Sequence, residues 1–139
     1  MAATKVFLDS GPLVGFLSET DQHHRWAVDV WNGLYDPMWT CEAVLSEAIF
    51  LLRSVEVSID PLLELFERDL VKIEFAVSPQ RSDLWRLLRK YADQPMSLAD
   101  ACLVRMAELH ERRQIFTTDK DFLVYRRKGR GMIPLLTPF

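Results

Sequence analysis

Apolar and polar positions along the chain fall into short apolar runs separated by stripes of helical period. Lys5-Val-Phe-Leu-Asp9 is an apolar run closed by an acid, as in a buried strand, and Ser10-Gly11-Pro12 turns the chain after it. Leu13 to Leu17 opens a first helix. Asp21 to Leu34 carries Trp26, Ala27, Val30, Trp31 and Leu34 at helical spacing and closes at Asp36-Pro37. Met38-Trp39-Thr40 is a short strand, and Ala43 to Leu52 a helix with Glu47 in its middle. Asp60-Pro61 starts another helix, since proline suits a first helical turn. Leu70 to Phe75 alternates and reads as a strand. Ser78-Pro79 opens a helix to about Tyr91, and Ser97 opens one to about His110. Gln114 to Thr118 is a fourth strand ending at Asp119, followed by a helical turn over Asp121–Tyr125. Ile133-Pro-Leu-Leu136 is a fifth strand, placed at an edge by its proline.

Strands alternating with helices predict an α/β fold, a mostly parallel sheet of four to five strands between two helical layers. The 139 residues suit one domain spanning 1–139, with no linker, repeat or low-complexity stretch to divide them. Ligands of such sheets bind beyond the carboxyl ends of the strands, where Asp9 and Asp119 are expected to lie on one edge.

Composition narrows the class further. Hydrophobic residues make up 49%, enough for a core without staples. Cys41 and Cys102 form no motif, and no apolar run reaches the roughly 18 residues of a membrane span. The start of the chain does not read as a signal peptide. These features predict a soluble cytoplasmic protein. The charge is uneven: residues 1–79 carry 5 Lys/Arg against 13 Asp/Glu, net −8, whereas residues 80–139 carry 12 against 7, net +5. The basic excess peaks at Arg126, Arg127, Lys128 and Arg130, which either contact phosphates or form a solvated turn.

Four acids interrupt apolar surroundings: Asp9, Glu47, Asp100 and Asp119. Carboxylates in such settings are costly unless paired or bound to metal, and apart from Lys120, next to Asp119, no Lys or Arg adjoins them in sequence. Hard oxygen ligands suit Mg²⁺ or Mn²⁺. Each acid also has a structural explanation. Asp9 and Asp119 would cap the turns after them, Glu47 would lie on a solvated stripe with Ser46, Arg53 and Ser54, and Asp100 would be the acid of a capping box with Ser97. Four coincidences at once are less expected than one shared site.

The order Val6-Phe-Leu-Asp9-Ser-Gly-Pro-Leu-Val14, Thr40-Cys-Glu-Ala-Val-Leu-Ser-Glu47, Leu98-Ala-Asp100-Ala-Cys-Leu and Phe116-Thr-Thr-Asp119-Lys-Asp121-Phe122 resembles the PIN domain, whose members include the VapC-type toxins of bacterial toxin–antitoxin pairs. The resemblance implies a three-layer α/β/α nuclease. By it, Asp9, Glu47, Asp100 and Asp119 are the metal-binding catalytic acids, Asp121 is an accessory acid, and Ser10 and Thr118 are supporting hydroxyls. It further implies a Mg²⁺- or Mn²⁺-dependent ribonuclease leaving a 5′-phosphate and a 3′-hydroxyl, with an RNA substrate, a cognate antitoxin and a homodimer as partners. A housekeeping RNA-processing nuclease, or a PIN-like binding module without cleavage, would share the same residues.

Competing site types fit less well. Gly11 occupies the position where a haloacid-dehalogenase-type phosphatase needs its second acid, and Leu8 precedes Asp9 where a receiver domain has neighbouring acids. No phosphate-binding loop or zinc spacing occurs. His23-His24 reads as packing or capping at a helix start. Trp26, Trp31, Trp39 and Trp85 read as core.

Overall fold

The computed structural model describes residues 4–128 and 131–139; Arg130 of the basic cluster lies outside them. Five parallel strands form the central sheet in the order β3-β2-β1-β4-β7: β1 (Lys5–Leu8), β2 (Met38–Thr40), β3 (Val71–Ile73), β4 (Arg113–Phe116) and β7 (Leu135–Leu136). The helices are α1 (Ser10–Leu17), α2 (His24–Asn32), α3 (Glu42–Ser54), α4 (Asp60–Glu67), α5 (Val77–Lys90) and α6 (Leu98–Glu108), with a 3₁₀ turn at Lys120–Leu123. No helix among the described residues is long and apolar enough to cross a membrane.

Alternation along each strand builds a core on each face of the sheet, because successive side chains point to opposite sides. Phe7 and Ile115 join α5, α6, Tyr125 and Ile133 in one core. Val6, Leu8, Met38, Val71 and Phe116 join α1, α3 and α4 in the other, against which Trp26 and Trp31 of α2 pack. Helix α3 serves both, Val44 facing one core and Ala48 and Leu52 the other. The expected three-layer α/β/α arrangement is therefore the observed one. Trp85 departs from its expected core position and is 41% exposed. Cys41 and Cys102 are buried free thiols.

Element ends differ by a few residues from those expected. Helix α1 starts at Ser10, because the Asp9 carboxylate accepts from the Ser10 backbone N–H and caps it. The fourth strand stops at Phe116, short of Asp119. Within the basic cluster, Arg126–Arg127 form β5, which pairs antiparallel with β6 (Gly131–Met132).

The connections run β1 to β2 to β3 on one side of β1, then return through α5 and α6 to β4 on its other side. The direction of winding reverses between β1 and β4. Parallel sheets open a crevice at the carboxyl ends of such a pair.

Candidate active site at the carboxyl edge of the sheet

Asp9 follows β1 into that crevice. It is 5% exposed, and its two oxygens are held separately: Oδ1 accepts from the Ser10 N–H at 2.7 Å, and Oδ2 accepts from the Thr117 hydroxyl at 2.7 Å. Thr117 Oγ1 in turn accepts from the Asp119 N–H at 3.0 Å, so one hydroxyl spans the ends of β1 and β4. Ser10 Oγ donates to Glu47 Oε1 at 2.9 Å, which ties α3 to the same corner. Asp100 stands in the first turn of α6 and accepts from the Tyr125 hydroxyl at 2.9 Å. Asp119 Oδ1 accepts from the Asp121 N–H at 2.8 Å and caps the 3₁₀ turn.

Burial pushes the Asp9 carboxyl up to about 7, and the charges of Asp100 and Glu47 add to that rise against the lowering effect of its two hydrogen bonds. Burial also pushes Asp100 up, helped by Asp119 and opposed by the Tyr125 hydroxyl. The Tyr125 phenol is pushed above its ordinary range by burial first, then by Asp100, with Asp121 and Asp119 contributing. The acids therefore sense one another across the crevice. Asp9, Glu47, Asp100 and Asp119 accept from backbone N–H groups and hydroxyls, and among the described residues none of the four pairs with Lys or Arg.

The structural explanations for these acids are met only in part. Asp9 and Asp119 do cap the turns that follow them. At Asp100 Ser97 Oγ accepts from the Asp100 N–H at 3.0 Å and Ser97 also lowers the Asp100 carboxyl, as in a capping box, but the carboxylate accepts from the Tyr125 hydroxyl as well. Glu47 is half-buried against Ser10 rather than free on a solvated stripe.

Three expected positions are placed differently. Thr117 supports Asp9, whereas Thr118 packs against Gly11, where an added Cβ would sit 2.0 Å from Thr118 Oγ1. Strand parity explains the exchange: Thr117 shares the face of Ile115, which is also the face of Phe7 and hence of Asp9. Counting that alternation along Ile115-Phe-Thr-Thr118 identifies Thr117 from sequence. Tyr125 carries no such signal, because only the fold brings it to α6. In the basic cluster, Arg126 donates to the carbonyls of Leu123, Val124 and Tyr125, and Arg127 to those of Ala107, Glu108 and His110. Both guanidinium groups are engaged by this chain's own backbone, and Lys128 is exposed.

The sequence profile of the PIN domain matches residues 6–128. The chain belongs to the PIN domain family. PIN domains are generally nucleases that act on RNA or other nucleic acids, and they generally use divalent metals. No curated protein matches the chain at a meaningful level. In this PIN domain no three His, Cys, Asp or Glu side chains among the described residues converge as ligands of one ion. The donors nevertheless fit a hard divalent cation: all are carboxylate oxygens, two are buried without a cation, and ions of the Mg²⁺ type are commonly held by one or two carboxylates with waters completing the shell.

Proposed function

We propose that the protein is a metal-dependent ribonuclease whose site is Asp9, Glu47, Asp100 and Asp119, with Asp121 as an accessory acid. One observation carries this reading: Asp9 lies buried at the point where the winding reverses, beside Asp100 and Glu47, with no cation to offset it. Asp9, Glu47, Asp100 and Asp119 would hold Mg²⁺ or Mn²⁺, which when bound lowers the pKa of water and supplies hydroxide for in-line attack on a phosphodiester. Thr117 and the Ser10 N–H fix the Asp9 carboxylate from both sides. Ser10 Oγ aims Glu47 at the same corner, and Tyr125 holds one oxygen of Asp100. Support of this kind keeps ligand side chains in place when the substrate arrives.

The resemblance to VapC-type toxins suggests a finer reading, that of the toxin of a type II toxin–antitoxin pair, acting in the cytoplasm with a homodimeric form and a cognate antitoxin. Growth arrest on induced expression, lost in Asp9→Asn, tests that role; unimpaired growth counts for a housekeeping nuclease. For the activity itself, purified protein is expected to cleave single-stranded RNA with Mg²⁺ or Mn²⁺ and to lose cleavage in EDTA. Full activity in EDTA would overturn the metal reading.

A further inference from the structure

A cavity of about 390 Å³ opens beside the acids, between the α1–α2 connection and the last turn of α3. It adjoins the site at two points: Gly11, next to Ser10, and Thr118, next to Asp119. Helix α3 also joins them. Glu47, Leu51 and Ser54 follow at spacings of four and three residues and so share one side of the helix, with Leu51 about 6 Å along the axis from Glu47.

The lining selects the ligand. Among the described residues no Lys or Arg lines the cavity, which argues against a phosphate site. Val14, Leu51 and Val55 supply apolar walls, and Leu51 and Val55 are 39% and 54% exposed, uncovered by the fold. Asp21, Gln22 and His23 supply polar groups at the rim. Asp21 Oδ2 accepts from the His23 N–H at 2.9 Å, which orients the carboxylate. The neighbouring His24 is held elsewhere, its Nδ1 lying 2.7 Å from the Gly15 carbonyl oxygen. A flat, uncharged ring with polar edges matches these walls, and pockets of a few hundred Å³ suit ligands of nucleoside size.

We propose that this cavity is a nucleobase subsite. It takes an unpaired base flanking the scissile bond and favours bases with an exocyclic amine, from which Asp21 accepts, as carboxylates accept from the cytosine amine. Uracil offers no such donor. The inference rests on the nuclease reading above and names what that site selects.

The test uses single-stranded RNAs that differ only in the bases flanking the cleaved bond. Wild type is expected to cleave amine-bearing bases with kcat/KM about tenfold above uracil, the scale of one good base contact. Asp21→Asn should shrink that preference, because its amide can donate to uracil O4, and Ser54→Trp should raise KM by filling the cavity. Anisotropy with 2′-O-methyl versions of the same RNAs in EDTA repeats the comparison without cleavage. Equal handling of all four bases by wild type in both assays overturns the subsite, as does an unchanged preference in Asp21→Asn alongside an unchanged KM in Ser54→Trp. A base preference in binding from a protein that cleaves nothing would remove the nuclease reading and keep the subsite. Cleavage abolished by Asp9→Asn but indifferent to the base would do the reverse.

Discussion

Helix α6 buries a carboxylate at each end, about 12 Å apart by helical rise, and the two are treated oppositely. Glu108, its side chain 1% exposed, is surrounded by donors: Arg86 at 2.9 Å and Arg105 at 3.3 Å on Oε1, and the Lys128 N–H at 2.9 Å on Oε2. Asp100 has only neutral partners, the Tyr125 hydroxyl and Ser97, and two nearby acids, Asp9 and Asp119. Burying a charge is tolerable when the fold supplies its counterpart. At Glu108 the counterpart belongs to this chain. At Asp100 no Lys or Arg among the described residues supplies it, and on the proposed reading a bound cation would.

The largest expected effect is on activity. Asp100→Asn should cut ribonuclease turnover at least about a hundredfold, the scale on which a reacting centre loses one stabilising group. Glu108→Gln should keep a rate near wild type wherever the protein is folded. Equal loss in both variants, measured under conditions where circular dichroism shows native structure, would erase the distinction between the two ends.

A second contrast appears in pH dependence without metal. The Asp9 carboxyl is raised in the folded protein to about 7 from an ordinary value of 3.8. The folded state therefore holds a proton that the unfolded chain has released. The stability this proton contributes is complete below 3.8, where both states are protonated, and drains away as pH climbs to about 7. Removing the charge in Asp9→Asn removes the loss. Between pH 5 and 8 in EDTA, the stability of Asp9→Asn relative to wild type should grow by on the order of 2–3 kcal/mol. A gap that stays constant across that range would mean that Asp9 is not protonated in the folded state.

These contrasts also define what the sequence makes legible. Strand ends followed by acids, read with the rule for parallel sheets, lead to Asp9 and Asp119 on one edge, and the structure puts them just beyond the carboxyl ends of the adjacent strands β1 and β4. The apolar periodicities of Phe7, Leu8, Ile115 and Phe116 carry the two cores. The role of Tyr125 is not readable along the chain, because it depends on where the segment after the 3₁₀ turn crosses α6. Nor is the role of Arg127: a run of Arg and Lys looks alike whether it meets phosphate or the carbonyls at a helix end. The parity of Thr117 and Thr118, by contrast, is legible in the strand alternation.

Stability should split the two ends of α6 in sign. Glu108→Gln leaves Arg86 and Arg105 without their carboxylate and should cost about 2 kcal/mol, below the range for a fully buried pair because Arg86 is 44% exposed. Asp100→Asn keeps an acceptor for Tyr125 and relieves repulsion from Asp9 and Asp119, so the metal-free protein should melt at a higher temperature than wild type at neutral pH. Mg²⁺ should then narrow the gap, since an ion bound to the folded state stabilises wild type more. Destabilisation by both variants, with no Mg²⁺ response in wild type, would make Asp100 a structural acid like Glu108.

The smallest effect concerns the basic hairpin, where the expectation of phosphate contacts meets two arginines bonded to backbone. Arg127 reaches three carbonyls at the end of α6, a helix end where a cation also meets the negative pole of the helix dipole. That end is the Glu108 end, remote from Asp100, so Arg127 belongs with the compensated half of the comparison. Arg127→Gln should cost about 1 kcal/mol of stability and leave the salt dependence of RNA binding as in wild type. Lys128→Gln, at an exposed position, should do the opposite: stability near wild type, with a salt slope lower by about 1 if that side chain meets a phosphate. Chemical denaturation paired with RNA affinity measured across a salt series reads both quantities on each variant. A reduced slope in Arg127→Gln with unchanged stability would mean that its guanidinium leaves the helix end for the RNA, and the two ends of α6 would then share the work of binding substrate.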